Sequence, residues 1–268
     1  MNKNHLSYSV LSGILLGLSW PTYGLTILIF ISFVPLLYLE KLIRNDSSLK
    51  IFLHAYLSFF IWNSIATWWL VYSTFFGMAF AIIVNSLLMA LVFTSYSLIS
   101  KKVSKKLSII YWVSSWIVFE KFHLFWDFSW PWLNLGNVFS ENILWIQWYE
   151  YTGSFGGTLW VLLVNYLFLL VYYNYIKTKK IDIIRISFSI LTISIPIIIS
   201  LFIYTFQEND REYLNVSILQ PNIDSYSEKY GRTNISILQD FKSLVDSSVN
   251  SNDIIVAPET YFSESPGF

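Results

Sequence analysis

The chain has 268 residues, of which 55% are hydrophobic and 13% are charged, and its mean hydropathy is +0.53. A soluble domain carries roughly 25% charged residues, so this composition excludes both a soluble globular protein and a disordered chain. Lys and Arg together number 17, as do Asp and Glu, which excludes a nucleic-acid binder that relies on a basic surface. The sequence has no cysteine, and therefore no disulfide, thiolate metal ligand or thiol nucleophile.

The zero net charge conceals two halves of opposite sign. Residues 1–206 carry 13 Lys and Arg against 7 Asp and Glu, whereas residues 207–268 carry 4 against 10. The first part is apolar with basic loops, and the second is polar and acidic. We predict a transmembrane helical domain over residues 1–206, followed by a water-facing segment over residues 207–268.

Seven apolar stretches predict about seven membrane crossings, since a bilayer core needs roughly 20 apolar residues as a helix. They cover residues 6–20, 25–39, 51–73, 77–99, 107–119, 159–176 and 183–206. The first two are short and flank the turn signal Pro21-Thr22-Tyr23-Gly24, which favours a tight hairpin. The first could instead be a signal peptide, but no Ala-x-Ala-like cleavage site follows it.

The positive charges predict the orientation. Twelve Lys and Arg residues fall at the N-terminus and in the loops after the second, fourth and sixth stretches, whereas the opposite loops hold only Lys121. Cytoplasmic loops are enriched in Lys and Arg, so we expect a cytoplasmic N-terminus. Seven crossings then place residues 207–268 in the periplasm.

The loop over residues 120–157 is rich in tryptophan, and two interpretations stay open. It contains Trp126, Trp130, Trp132, Trp145 and Trp148. Such residues can form an aromatic belt at the membrane interface, or a partly embedded platform that shapes a lipid-access site.

Polar residues inside the apolar stretches are few. We expect His54 to cap a helix or to snorkel, and we expect Asn63, Asn85 and Asn165 to form hydrogen bonds between helices. The sparse intramembrane charge argues against an ion or proton pathway, although a transporter or a non-catalytic membrane scaffold remains an alternative.

The acidic segment predicts a strand, a helix and a second strand. We expect residues 215–219 to form a short strand, which ends at Gln220-Pro221-Asn222. Apolar residues then recur at helical spacing from Ile235. Residues 253–257 form the second strand, closed by Pro258-Glu259. A βαβ unit brings the carboxyl ends of both strands to one edge of a sheet, where functional groups gather. By itself, a Glu at a strand end such as Glu259 is more often a surface or capping residue than a catalyst.

These motifs resemble one family. The Gln-Pro-Asn and Pro-Glu strand ends resemble the opening of a nitrilase (carbon–nitrogen hydrolase) domain, and the whole chain is similar to apolipoprotein N-acyltransferases, which join such a domain to a membrane domain. Three stretches carry the resemblance to the acyltransferases. The first is Trp20-Pro21, and the second is residues 128–136, which include Pro131-Trp132-Leu133-Asn134-Leu135-Gly136. The third is residues 150–157, which include Gly153 and Gly157 and lead to Asn165. The resemblance implies a mainly α polytopic membrane bundle followed by the βαβ opening of an α/β domain.

The resemblance also implies the chemistry. A cysteine thiol takes an acyl chain from a phospholipid as a thioester, and the α-amino group of a diacylglyceryl-cysteine apolipoprotein then accepts it. A thiol must be deprotonated to attack, so a Glu acts as general base, and a Lys stabilises the oxyanion. Glu259 matches that Glu, and Tyr230 lies near the position of an aromatic substrate-binding residue.

The expected setting follows from the same resemblance. The partners are a phospholipid donor, an apolipoprotein acceptor and the bilayer of the bacterial inner membrane, with no cofactor, metal or nucleic acid, and the protein is expected to be a monomer. This chain departs from the family pattern in one respect, because no Lys and no Cys follow Glu259. We therefore expect a truncated or partial sequence that is inactive alone.

Overall fold

The computed structural model describes residues 3–206, 214–223, 233–248 and 254–258. The chain divides into two compact units, Met1–Gln207 and Glu208–Phe268. The described residues are mainly helical, with one small sheet, so the prediction of a mainly α protein is confirmed.

The described part of the first unit contains seven α-helices in chain order. They are α1 (Lys3–Leu18), α2 (Val34–Ile43), α3 (Ser48–Thr67), α4 (Phe75–Ser100), α5 (Lys105–Phe122), α6 (Tyr149–Thr178) and α7 (Ile183–Phe206). The second unit contains strand β1 (Val216–Ile218), helix α8 (Asn234–Ser248) and strand β2 (Ile254–Val256).

Five helical segments among the described residues are long and apolar enough to cross a membrane. They are Thr26–Ile43, Ser48–Tyr72, Phe75–Ser100, Tyr149–Thr178 and Ile183–Phe206. The chain is thus a multi-pass membrane protein. Helix α1 has only 16 residues and α5 carries four charged residues in 18, so the crossings assigned to these two helices stay predictions.

The second apolar stretch is a broken helix. A 3-10 helix over Thr26–Phe30 precedes α2, and the backbone between them has polar groups that a lipid environment cannot pair. The side-chain amide of Asn165 in α6 forms hydrogen bonds with these backbone groups. Its Nδ2 donates to the Ile29 carbonyl at 2.7 Å, and its Oδ1 accepts from the Phe33 N–H at 2.8 Å. This side chain therefore ties the first hairpin to α6.

Large aromatic rings fill the centre of the bundle. Phe33 packs edge-to-face against Trp112 and Trp116 of α5, with ring centroids 5.9 and 5.2 Å apart. Phe59 and Trp62 of α3 complete this buried cluster. Edge-to-face geometry is a favoured arrangement for aromatic pairs, so the cluster holds α2, α3 and α5 in register.

The basic loops meet at one end of the bundle. The Lys41 ammonium at the end of α2 lies 4.7 Å from the ring centroid of Tyr173 near the end of α6. In the α2–α3 loop, a hydrogen bond from Lys50 lowers the pKa of Asp46, with smaller contributions from His5 and Lys101. The charge pattern therefore grouped these loops correctly, and the side of the membrane that they face stays a prediction.

The tryptophan-rich segment is structured rather than an open loop. We call residues 123–148 the tryptophan platform; it contains the 3-10 helices Pro131–Leu133, Leu135–Phe139 and Ile143–Trp145. Trp132 stacks on both Trp130 and Trp69, with centroids 5.4 and 4.8 Å apart. The predicted loop over residues 120–157 was too long, because α5 continues to Phe122 and α6 begins at Tyr149.

Candidate functional site

The predicted site edge exists in the second unit. Strands β1 and β2 are parallel, with Val216 opposite Ile254 and Ile218 opposite Val256. The Leu219 N–H donates to the Val256 carbonyl at 2.9 Å, which extends the pairing to the strand ends. The residues that follow the two strands therefore leave the sheet at the same edge, as the βαβ interpretation predicts.

Three of the described residues at this edge are exposed. Gln220 and Asn222 after β1 are exposed, as is Pro258 after β2. Asn222 has a φ of 54°, a left-handed conformation that Asn adopts more readily than most residues. The backbone thus changes direction at Asn222, shortly after β1 ends at Ile218.

The two predicted site residues, Glu259 and Tyr230, lie outside the described residues. Glu259 directly follows Pro258 in the sequence. Their roles as general base and substrate-binding residue stay predictions.

A second polar centre, which sequence reasoning missed, lies in the first unit at Glu120. This α5 carboxylate is 1% exposed, yet it takes part in none of the salt bridges found among the described residues. Its Oε1 accepts from the Trp116 indole N–H at 3.2 Å and from the Leu135 N–H at 2.7 Å, and its Oε2 accepts from the Thr158 hydroxyl at 2.6 Å. Glu120 therefore joins α5, the tryptophan platform and α6.

Two of the stretches that carried the family resemblance meet at this centre. The Gly136 N–H donates to Thr158 Oγ1 at 3.1 Å, and the Tyr149 hydroxyl donates to the Gly136 carbonyl at 2.9 Å. A Cβ on Gly136 would overlap the Ser154 carbonyl oxygen, and one on Gly157 would overlap the Tyr149 hydroxyl. Glycine at both positions lets the platform and α6 come into backbone contact.

A buried ion pair lies at the basic end. Glu40 is fully buried and accepts two hydrogen bonds from Arg44, at 2.8 and 2.7 Å, and one from the Ser97 hydroxyl at 2.7 Å. The spacing of four residues between Glu40 and Arg44 is the signal that could have indicated this pair. It fastens the end of α2 to α4.

The expectations for the polar residues inside the helices had mixed outcomes. Asn85 Nδ2 of α4 donates to Asn63 Oδ1 of α3 at 2.7 Å, and Asn165 bonds the first hairpin, so the predicted hydrogen bonds between helices are confirmed. The prediction that His54 caps or snorkels was wrong. His54 is buried and its Nδ1 hydrogen-bonds with Ser9 Oγ of α1 at 2.8 Å.

Comparison with known proteins agrees with this architecture. The profile of the apolipoprotein N-acyltransferase N-terminal domain matches residues 12–167, a range that holds Glu120 and both glycine stretches. A protein of Chlorobaculum tepidum named apolipoprotein N-acyltransferase is 28% identical over 258 residues, which cover 94% of this chain and 48% of the relative. The chain thus spans about half the length of this curated relative. Because the matched profile covers more than half of its residues, the chain belongs to the apolipoprotein N-acyltransferase family.

Proposed function

We propose that this chain provides the membrane domain and the opening strands of the acyltransferase domain of an enzyme that N-acylates lipoproteins. The observation that carries the proposal is that similarity to the Chlorobaculum tepidum protein extends over 94% of the chain, and so beyond the matched N-terminal domain into the βαβ unit. A transporter or a scaffold protein is not favoured, because family membership gives an independent reason for the many apolar helices.

In the proposed reaction a thiolate attacks an ester carbonyl of a phospholipid. The carbon–oxygen ester bond breaks, the acyl chain stays on sulfur as a thioester, and the lysophospholipid alkoxide leaves with a proton. The amine of a diacylglyceryl-cysteine lipoprotein then attacks the thioester, which forms the amide and releases the thiol. Glu259 is the proposed general base for the thiol, and Tyr230 is the proposed contact to substrate.

The thiol must come from outside these 268 residues, since they include no cysteine. A polypeptide of this sequence alone should therefore form no thioester. The proposed setting is the bacterial inner membrane, with the basic loops in the cytoplasm and the βαβ unit in the periplasm, where the positive-inside rule assigns them.

The test compares Glu259→Gln with unchanged protein, made from the complete reading frame and incubated with a phospholipid that carries a radiolabelled acyl chain. General base catalysis is worth roughly 10²–10⁴-fold, so formation of hydroxylamine-sensitive label should slow by about that factor. Glu264→Gln, five residues further on, is the matched control and should label at the unchanged rate.

Two results would count against the proposal. One is labelling of the Glu259→Gln protein at the unchanged rate, with both variants inserted in the membrane in equal amount. The other is a reading frame that encodes no Lys and Cys in nitrilase-like context after Glu259.

A further inference from the structure

A groove of about 500 Å³ lies between α1, α2, α6 and α7. This volume is within the range of roughly 300–1,000 Å³ that is usual for small-molecule sites. Leu11 and Leu15 of α1, Val34 of α2 and Phe168 of α6 are among its apolar lining residues. Leu11 is 47% exposed, so a ligand can reach the groove from outside the bundle.

The surroundings of the groove decide which class of molecule fills it. Three of the segments that form its walls are long and apolar enough to cross a membrane, namely Thr26–Ile43, Tyr149–Thr178 and Ile183–Phe206. The medium around such segments is lipid hydrocarbon rather than water. An apolar groove that opens to this medium therefore suits an acyl chain.

The groove has a polar end and an apolar end. Tyr8 lies near the start of α1, Tyr175 near the end of α6, and Asp182 directly before α7, so these lining residues lie toward the basic end of the bundle. Leu15 and Phe168 lie deeper along α1 and α6. From Tyr175 to Phe168 the helix rises about 10 Å, whereas one leaflet contributes about 15 Å to the hydrocarbon core. A phospholipid has the same polarity, with its headgroup at one end and its chain at the other.

Positive charges adjoin the polar end. The Lys179 ammonium lies 5.7 Å from the ring centroid of Tyr175, and Arg185 Nε lies 3.3 Å from Asp182 Oδ2, so each cation contacts a lining residue. The three lysines of residues 177–180 take part in none of the salt bridges found among the described residues. Together with Arg185 they carry four positive charges, against one negative charge on Asp182.

These charges favour an anionic headgroup. A guanidinium binds phosphate through paired N–H groups, and the Arg185 side chain is 50% exposed, so it has room for a phosphate beside Asp182. Basic pockets between transmembrane helices bind anionic phospholipid headgroups. Inorganic phosphate would leave the apolar part of the groove unfilled, and a lipid without net charge would leave the excess positive charge in place.

We propose that the groove binds an anionic diacyl phospholipid of the leaflet next to the basic loops, with one acyl chain between the four helices and its phosphate at Lys179 and Arg185. The described residues that line the groove include no cysteine, serine, histidine or lysine. The lipid is therefore held there without reacting, and this site is separate from the proposed acyl transfer.

The test compares phosphatidylglycerol with phosphatidylcholine, which has the same acyl chains but no net charge. The dissociation constant of the first bound lipid is measured by native mass spectrometry of the 268-residue chain released from micelles. We expect phosphatidylglycerol to bind about fivefold more tightly, which is the contribution of one basic residue near an anionic headgroup.

Two charge variants locate the headgroup. Arg185→Gln should remove most of the preference for phosphatidylglycerol, because it deletes one cation and leaves Asp182 without its partner. Lys102→Gln is the matched control. It removes one positive charge from the same end of the bundle, but in the loop between α4 and α5, and none of the described lining residues belongs to these two helices. It should keep the preference.

Two further variants locate the acyl chain. Val171→Trp and Leu11→Trp each place a larger ring at a lining position, so that one folded variant of the two suffices. Each should weaken binding of both lipids about tenfold, the value of roughly two buried methylene groups. Leu91→Trp on α4, at a position that is 50% exposed, is the control and should leave binding unchanged.

Equal affinity of the two lipids for the unchanged chain would overturn the proposal. Equal loss of the preference in Arg185→Gln and Lys102→Gln would also overturn it, and would mean that the charged surface attracts any anionic lipid. Full affinity in a folded Val171→Trp or Leu11→Trp variant would place the lipid elsewhere. A dimer that Leu11→Trp converts to a monomer would mean that a second copy of the chain covers the groove.

Discussion

Replacing Glu120 separates the need for a hydrogen-bond acceptor from the need for a charge. In Glu120→Ala the Trp116 indole, the Leu135 N–H and the Thr158 hydroxyl all lose their acceptor. An unpaired buried donor costs about 1–3 kcal/mol, and a water in the vacated space recovers part of the sum. We expect the free energy of unfolding to fall by about 4 kcal/mol.

Glu120→Gln should behave differently. Its Oε1 can still accept from Trp116 and Leu135, and the Thr158 hydroxyl can rotate to accept from the new amide, since a hydroxyl has both roles. We therefore expect a loss under about 1 kcal/mol. Glu141→Ala, at an exposed position of the platform, is the control and should stay within about 0.5 kcal/mol of the unchanged protein.

The measurement is reversible unfolding in mixed micelles of increasing dodecyl sulfate content, followed by circular dichroism at 222 nm. If Glu120→Gln and Glu120→Ala destabilise equally, the ionised carboxylate rather than its acceptor geometry holds the platform. If neither destabilises the protein, Glu120 does not join the platform to α6.

Three further predictions concern packing, pH and topology. Gly157→Ala should abolish the folded protein, because the added Cβ would meet the Tyr149 hydroxyl and the Gly136 backbone. Gly24→Ala has open space around its Cβ and should lower the free energy of unfolding by only about 1–2 kcal/mol, because Gly24 has a positive φ. Equal folded yields of the two variants on gel filtration would contradict this prediction. Burial lowers the pKa of His123 to about 4, so between about pH 6.5 and 4 the unfolded chain binds more protons than the folded one, and the free energy of unfolding decreases as the pH is lowered. Unfolding of His123→Gln should lack that part of the pH dependence, and identical profiles would show that His123 titrates normally. Single cysteines at Ser104 and Ser243 should react in whole cells with an impermeant thiol reagent only at position 243, and the reverse pattern would invert the orientation.

The sequence predicted the helices well because a bilayer leaves few backbone options. Helices lie at all seven predicted positions, since an apolar stretch in lipid must pair its own backbone groups. The βαβ unit was likewise indicated by short apolar runs that ended at Gln220 and Pro258. Boundaries failed where tertiary contacts decide them, as in the segment 149–157, where the glycine-rich start of α6 packs on Gly136.

The buried polar groups were harder to predict. Glu40, His54 and Glu120 all lie near ends of apolar stretches, where a polar residue usually meets water or headgroups. Each also has a hydrogen-bond partner that is distant in the sequence: Ser97 for Glu40, Ser9 for His54, and Thr158 for Glu120. The spacing of Glu40 and Arg44 could indicate only the local ion pair. No local pattern records the distant contacts, whereas the glycine stretches did point to the platform and α6.

The Asn165 contacts impose an order on biogenesis. Residues 26–43 leave the ribosome more than 120 residues before Asn165, yet the break between the 3-10 helix and α2 takes its hydrogen bonds from that side chain. Until α6 inserts, the Phe33 N–H has no such acceptor, and in lipid a regular helix is the way to pair it. The nascent hairpin should therefore enter the membrane with a second helix that is kinked at Pro35, which has no N–H to donate, but in which the Phe33 N–H bonds within its own helix. The wider break then forms late, when α6 arrives, so a ribosome-bound intermediate that stops before residue 160 should hold residues 26–43 as one helix kinked at Pro35.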